Sequence, residues 1–239
     1  MSQSSDERLA DRLPKSPMSH RSQISLFARL LALSAALCAM SAIAGYKSKS
    51  WNPGSAEDYP AKLTSENVTI AAAPLMLDQQ AAQVFDKNDI VTAGIMPLAI
   101  VIFNANSFPV RIESRTIELI VSDDHMSTLP PDEVVYGLFK KGKGVAWGVP
   151  SSRLPTSSRD PGNPEALRDF GTKFLGSRVV PPHGTEGGFL YMHPPASKDL
   201  RSYLSTARLY IPDVFREDNG QRMIYFEFEL KPAVDAPPR

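Results

Sequence analysis

Residues 96–103, MPLAIVIF, limit the fold more than any other stretch of the chain. None of the eight carries a charge or a hydrogen-bonding side chain, and β-branched residues dominate the second half. Such a run is buried on both faces, so it predicts a central strand with a layer packed above and another below. Pro97 is compatible only with the start of that strand, where a missing N–H removes least pairing. Residues 222–231 alternate instead. Ile224, Phe226, Phe228 and Leu230 fall on one face, and Tyr225, Glu227 and Glu229 on the other, which predicts a strand with one face to solvent.

Shorter β signals occur at residues 68–70, 109–113, 116–121, 178–180, 188–192 and 207–211, with the strand over 116–121 expected to form a hairpin with the one before it. Proline (21 residues) outnumbers glycine (14), which favours strands and ordered loops over long helices. Three short helices fit the remaining patterns. One spans residues 78–85, capped by Asp78. Another opens on Pro130–Glu133, with Val134, Val135, Leu138 and Phe139 on its apolar face, and ends in Lys140, Lys141, Gly142 and Lys143. The third spans 165–174, with Leu167, Phe170 and Phe174 on one side. There is no internal repeat and no strand–helix alternation of the doubly wound kind. The expected fold is mainly β: an antiparallel immunoglobulin-like β-sandwich with short helices inserted in its connections.

Residues 30–44, LLALSAALCAMSAIA, are uncharged, follow Arg21 and Arg29, and end in small residues. This is the grammar of a secretory signal, with Ala42, Ile43 and Ala44 forming an A-x-A site and cleavage after Ala44. The apolar run is about 15 residues, short of the ~20 that a spanning helix needs. A retained anchor is the second reading, with Arg29 snorkelling. A lipoprotein attached through Cys38 is the third, and Leu37 before that cysteine is a poor fit to it. Met18 is an alternative start, because the polar first 17 residues do not belong to a signal. The expected organisation is an extension and signal or anchor over 1–44, a linker over 45–67, the sandwich over 68–231 and a disordered tail over 232–239.

This address followed by this strand pattern resembles the uncharacterised exported immunoglobulin-like β-sandwich proteins of bacteria. The resemblance covers residues 68–231 and is one of architecture: the Cys–Trp–Cys pattern of true immunoglobulin domains is absent. It implies a periplasmic or envelope location and assigns no functional residue.

Basic and acidic residues balance at 26 each, so the excess of positive charge that nucleic-acid binding uses is missing. With Cys38 the only cysteine, no intramolecular disulfide forms. Asp123, Asp124 and His125 are the densest group of potential metal ligands, read as a solvated loop between strand and helix unless partners converge from elsewhere. His183 and His193 flank the strand over 188–192, and zinc would demand at least one further ligand. Trp147 is a ligand-binding or core aromatic. No nucleophile elbow, P-loop or dinucleotide fingerprint is present. The chain is therefore expected to act without a cofactor, as a non-enzymatic envelope protein that binds a protein or glycan or supports an assembly. The rivals are an envelope hydrolase built on the Asp123–His125 loop and a carbohydrate-binding module.

Overall fold

The computed structural model describes residues 45–139, 163–196 and 199–237. Cys38, Ala44, Lys140, Lys141, Gly142, Lys143, Trp147 and the expected signal segment lie outside the described residues. Residues 46–239 make one unit by their contacts.

Eleven strands run through the described residues: β1 Ala61–Ser65, β2 Val68–Pro74, β3 Met96–Asn104, β4 Val110–Glu113, β5 Glu118–Val121, β6 Asp124–Ser127, β7 Ser177–Val180, β8 Thr185–Met192, β9 Ala207–Ile211, β10 Val214–Arg216 and β11 Phe226–Glu229. They pair antiparallel into three sheets, ordered β1-β2-β3-β8, β10-β4-β7 and β11-β9-β5-β6. Five short helices sit in the connections: α1 Asp78–Val84, α2 Pro131–Phe139, α3 Pro164–Lys173, α4 Leu200–Leu204 and α5 Lys231–Asp235.

β3 is the central strand that its composition demands, paired with β2 on one side and β8 on the other. One of its faces, Met96, Leu98, Ile100 and Ile102, shares a core with Val110 and Ile112 of β4, Leu119 of β5, Leu209 of β9 and Phe226 of β11. The first sheet thus packs face to face against the other two. The opposite face places Ala99 with Phe189 and Tyr191 of β8, under Val84 of α1, Val134 and Leu138 of α2 and Phe170 of α3. Burial on both faces explains why β3 reads as a continuous apolar run. At its end the buried Asn104 amide donates to the Phe108, Val180 and Pro181 carbonyls, which ties the first sheet to the second.

Several expectations are corrected. β1 lies inside the stretch read as a linker and pairs with β2 over all five of its residues. Its turn, Glu66–Asn67, puts both residues at positive φ (46° and 58°), the conformation that matches hairpin twist. Residues 116–121 form no hairpin with 109–113. The 3-10 turn Ser114–Thr116 carries the chain from the second sheet into the third, where β5 pairs with β6 and β9. Asp124 and His125 are not in a loop but on the edge strand β6. Asp78 does not cap α1. Leu77 holds that position, and the Asp78 carboxylate accepts instead from the backbone of Val91 (2.7 Å) and Thr92 (3.2 Å). The tail begins with α5, whose Pro232 sits in the first turn where proline is tolerated. Val234 is fully buried there, and its carbonyl accepts from Arg201 at 2.6 Å.

Candidate functional site

Residues 46–54 have no regular secondary structure, yet they are strapped across the helical face of the first sheet. The Tyr46 ring packs 5.8 Å from Phe139 and 6.4 Å from Phe170. Trp51 lies 4.5 Å from Phe189. Gly187 makes that approach possible, since a Cβ there would meet the Ile100 carbonyl oxygen at 2.8 Å and the Trp51 ring at 3.1 Å.

The strap is fastened to α3. Asn163 caps this helix by accepting from the Ala166 N–H at 3.0 Å, with Pro164 next in line. Asp169 and Lys173 stand four residues apart on the side that also buries Ala166 and Phe170, with side chains only 2% and 9% exposed. Lys173 Nζ donates to both Asp169 oxygens (2.6 and 2.7 Å) and to the Val84 carbonyl (2.8 Å), and lies 5.1 Å from the centre of the Phe85 ring. Tyr46 donates to Asp169 Oδ2 at 2.6 Å, and the Ser48 hydroxyl donates to Oδ1. Lys49 reaches the Ala82 carbonyl, and the Lys47 N–H donates to Asp86 at 2.8 Å. Every proton on Lys173 has an acceptor, and Asp169 accepts four bonds. A cluster so fully satisfied holds structure in place and leaves neither group free as a nucleophile or base.

Between strap and body lies a cleft of about 530 Å³. Trp51 and Asn52 come from the strap, Thr172 from α3, and Arg178 and Glu186 from β7 and β8. Arg178 donates to the Phe174 carbonyl at 3.0 Å and stands 4.0 Å from Glu186. The lining thus mixes donors, acceptors and one half-buried aromatic.

Burial raises the Tyr46 phenol well above its ordinary range, and the hydrogen bond to Asp169 adds to the effect. Burial likewise raises Tyr191 and lowers Lys173, the latter opposed by Asp169. A phenol that stays protonated in the fold but ionises near 10 when unfolded makes the unfolded state lose protons first, so stability falls as pH rises past that point. Lys173 acts in the opposite sense, but only up to its unfolded value near 10.5. Between about pH 10.5 and 11.5 the opposing effect of Lys173 fades and the tyrosines dominate, each at up to about 1.4 kcal/mol per pH unit. The guanidinium midpoint is expected to drop across this interval, and Tyr46→Phe to make the drop shallower. A midpoint that does not move would contradict this account of the cluster.

The residues singled out in the sequence do not assemble here. Asp123 turns the β5–β6 hairpin, Asp124 and His125 follow on β6, and His125 Nδ1 stands 2.7 Å from Glu118. His183, at φ 54°, precedes β8, and His193 follows it with Nδ1 donating to the Gly94 carbonyl at 2.7 Å. The length of β8, about 26 Å, separates these two histidines. Among the described residues no three His, Cys, Asp or Glu side chains gather as metal ligands. No described helix is long and apolar enough to cross a membrane. Asp169 and Lys173 belong to no motif in the sequence. Their i, i+4 spacing beside the inward Phe170 was the available signal.

No protein family matches the chain. No curated protein sequence matches it either. Among solved structures, one described as a "putative lipoprotein (ycdA)" from Bacillus subtilis is similar at 11% identity and a TM-score of 0.34. The match covers 70% of this chain, which spans 38% of that one. The yjhA protein of Bacillus subtilis is similar at 7% identity and a TM-score of 0.38, over 72% of this chain and 97% of that one.

Proposed function

We propose that the chain is an exported, non-enzymatic protein of the bacterial envelope, an immunoglobulin-like β-sandwich that binds an envelope partner in the cleft between strap and body. The observation that carries this reading is the cleft itself: about 530 Å³, with the strap wall held by hydrogen bonds from Tyr46 and Ser48 to Asp169. A wall fixed before the ligand arrives reduces the ordering cost of binding. The mixed lining around Trp51 favours a hydroxyl-rich ligand, a glycan segment, over an apolar one. Export rests on the hydrophobic segment over residues 24–44 and its A-x-A end.

Site-specific photo-crosslinking in intact cells tests the reading. A photoreactive residue at Asn52, on the rim, is expected to yield an adduct that the same residue at the exposed Glu229 of β11 does not. Loss of that adduct on treatment with glycan-degrading enzymes would mark a glycan, and loss on protease treatment a protein. Identical products from both positions, or none from Asn52, would sink the proposal.

A further inference from the structure

The cleft between strap and body carries charge as well as hydroxyls. Its charged side chains are Lys49, Lys173 and Arg178 against Asp169 and Glu186. Asp169 and Lys173 neutralise each other, since Lys173 Nζ donates to both carboxylate oxygens. That leaves two cations, Lys49 and Arg178, over one carboxylate, Glu186. Arg178 is held in β7 by its pairing with Ile112, and Glu186 in β8 by its pairing with Ile102, so both meet the cleft from the body. Lys49 meets it from the strap.

Neither cation is spent on a carboxylate. Arg178 Nη2 donates to the Phe174 carbonyl at 3.0 Å, which fixes the plane of the guanidinium. Nη1 stands 4.0 Å from Glu186, beyond hydrogen-bonding distance, and keeps its protons for another acceptor. Lys49 Nζ donates to the Ala82 carbonyl and pairs with no carboxylate among the described residues. Burial lowers Lys173, and the charge of Lys49 adds to the effect, which places that charge within reach of the cleft wall. The half-buried Trp51 and the exposed Thr172 and Thr185 line the same cleft.

We propose that the ligand of this cleft is an acidic glycan, its carboxylate held by Arg178 Nη1 beside the Lys49 charge and a sugar ring set against Trp51. This rests on the glycan reading of the cleft and adds the charge that the ligand carries. A carboxylate accepting from a guanidinium makes one of the stronger hydrogen bonds, and a guanidinium already fixed in its plane loses little freedom in forming it. A cationic ligand would meet Lys49 and Arg178 with Glu186 alone to offset them. A neutral glycan would leave Nη1 without a charged partner. A bare anion would use neither Trp51 nor the hydroxyls of Thr172 and Thr185.

Isothermal titration of the full chain in mild detergent tests the proposal with three probes: a glucuronate-containing hexasaccharide, the same hexasaccharide reduced at its carboxyls to a neutral form, and inorganic phosphate. The acidic hexasaccharide is expected to bind about tenfold more tightly than the neutral one, with the difference shrinking as salt is raised. Arg178→Gln is expected to abolish the difference. That variant also loses the bond to Phe174, so Glu186→Gln is the second test. Glu186 is 39% exposed and stands clear of Arg178, so its replacement keeps the fold. Glu186→Gln is expected to tighten the acidic hexasaccharide severalfold and to leave the neutral one unchanged. Equal binding of the two hexasaccharides, or a Glu186→Gln protein that holds both as the parent does, overturns the charge assignment and leaves the glycan reading standing. Binding of neither hexasaccharide removes both. Phosphate binding as tightly as the acidic hexasaccharide would show a site for bare anions and overturn the proposal as well.

Discussion

Replacing Asp169 with alanine is expected to cost about 3–5 kcal/mol of stability, the range seen when one partner of a buried ion pair is removed. The loss has two sources. Lys173, with a side chain only 9% exposed, keeps the Val84 carbonyl and the Phe85 ring but loses the charge that offsets its desolvation. Tyr46 and Ser48 lose their shared acceptor, so the strap comes loose with it. For a unit of this size the drop corresponds to a melting temperature lower by about 10 °C. Urea midpoints measure the energy, and tryptic cleavage after Lys47 and Lys49 measures the release of the strap. Asp169→Asn, whose single amide oxygen keeps an acceptor for one of Tyr46 and Ser48, is expected to fall between parent and alanine variant. The double variant Asp169→Leu, Lys173→Met is expected to recover much of the loss, because two packed apolar chains carry no desolvated charge. A cost below about 1 kcal/mol for Asp169→Ala would show that the cluster is solvated.

That cluster marks where the sequence stops being readable. β3 was legible because periodicity reports how many faces are buried, and its neighbours do bury both. The alternation over 222–231 held only for β11, where Phe226 and Phe228 are buried, while Ile224, expected on the same face, precedes the strand and is 44% exposed. α2 was legible from Pro131, two acids and an apolar face. β1 was not, because Lys62 and Thr64 dilute its pattern and its pairing with β2 makes it a strand. β10 has three residues, too few for any period. The helix at Pro232 was hidden because the same proline that ends a strand can open a helix. The strap was harder still. Residues 46–54 read as a polar linker, and their docking depends on Asp169, Phe170 and Phe189, all more than a hundred positions away. The cleft has the same character: strap, α3, β7 and β8 make it together, and no local pattern records it.

Gly188→Ala is expected to cost about 3 kcal/mol, at the upper end of what an added methyl does in a packed core. A Cβ at this position would lie 2.7 Å from Leu175 Cα, 2.9 Å from Leu175 N and 3.0 Å from the Lys173 carbonyl oxygen. All three are backbone atoms, so no rotamer change relieves the clash. They also belong to the end of α3, where the Leu175 N–H donates to Phe189 at 2.9 Å, so the strain falls on the contact that positions Lys173. The same substitution at Gly171, within α3, meets nothing within 4 Å and is expected to stabilise by about 0.5–1 kcal/mol through helix propensity. Opposite signs for one chemical change on either side of this contact would separate backbone crowding from any general effect of removing glycine. Gly187→Ala stands between them. Its Cβ would press on the Ile100 carbonyl at 2.8 Å, but also on Pro53 and Trp51 at 3.1 Å, and the strap can move. That variant is therefore expected to retain more stability than Gly188→Ala, yet to lose the crosslink formed from Asn52, because the wall that gives way is the one lining the cleft. A Gly187→Ala protein that keeps the full yield of that adduct would show that the position of the strap does not matter for binding.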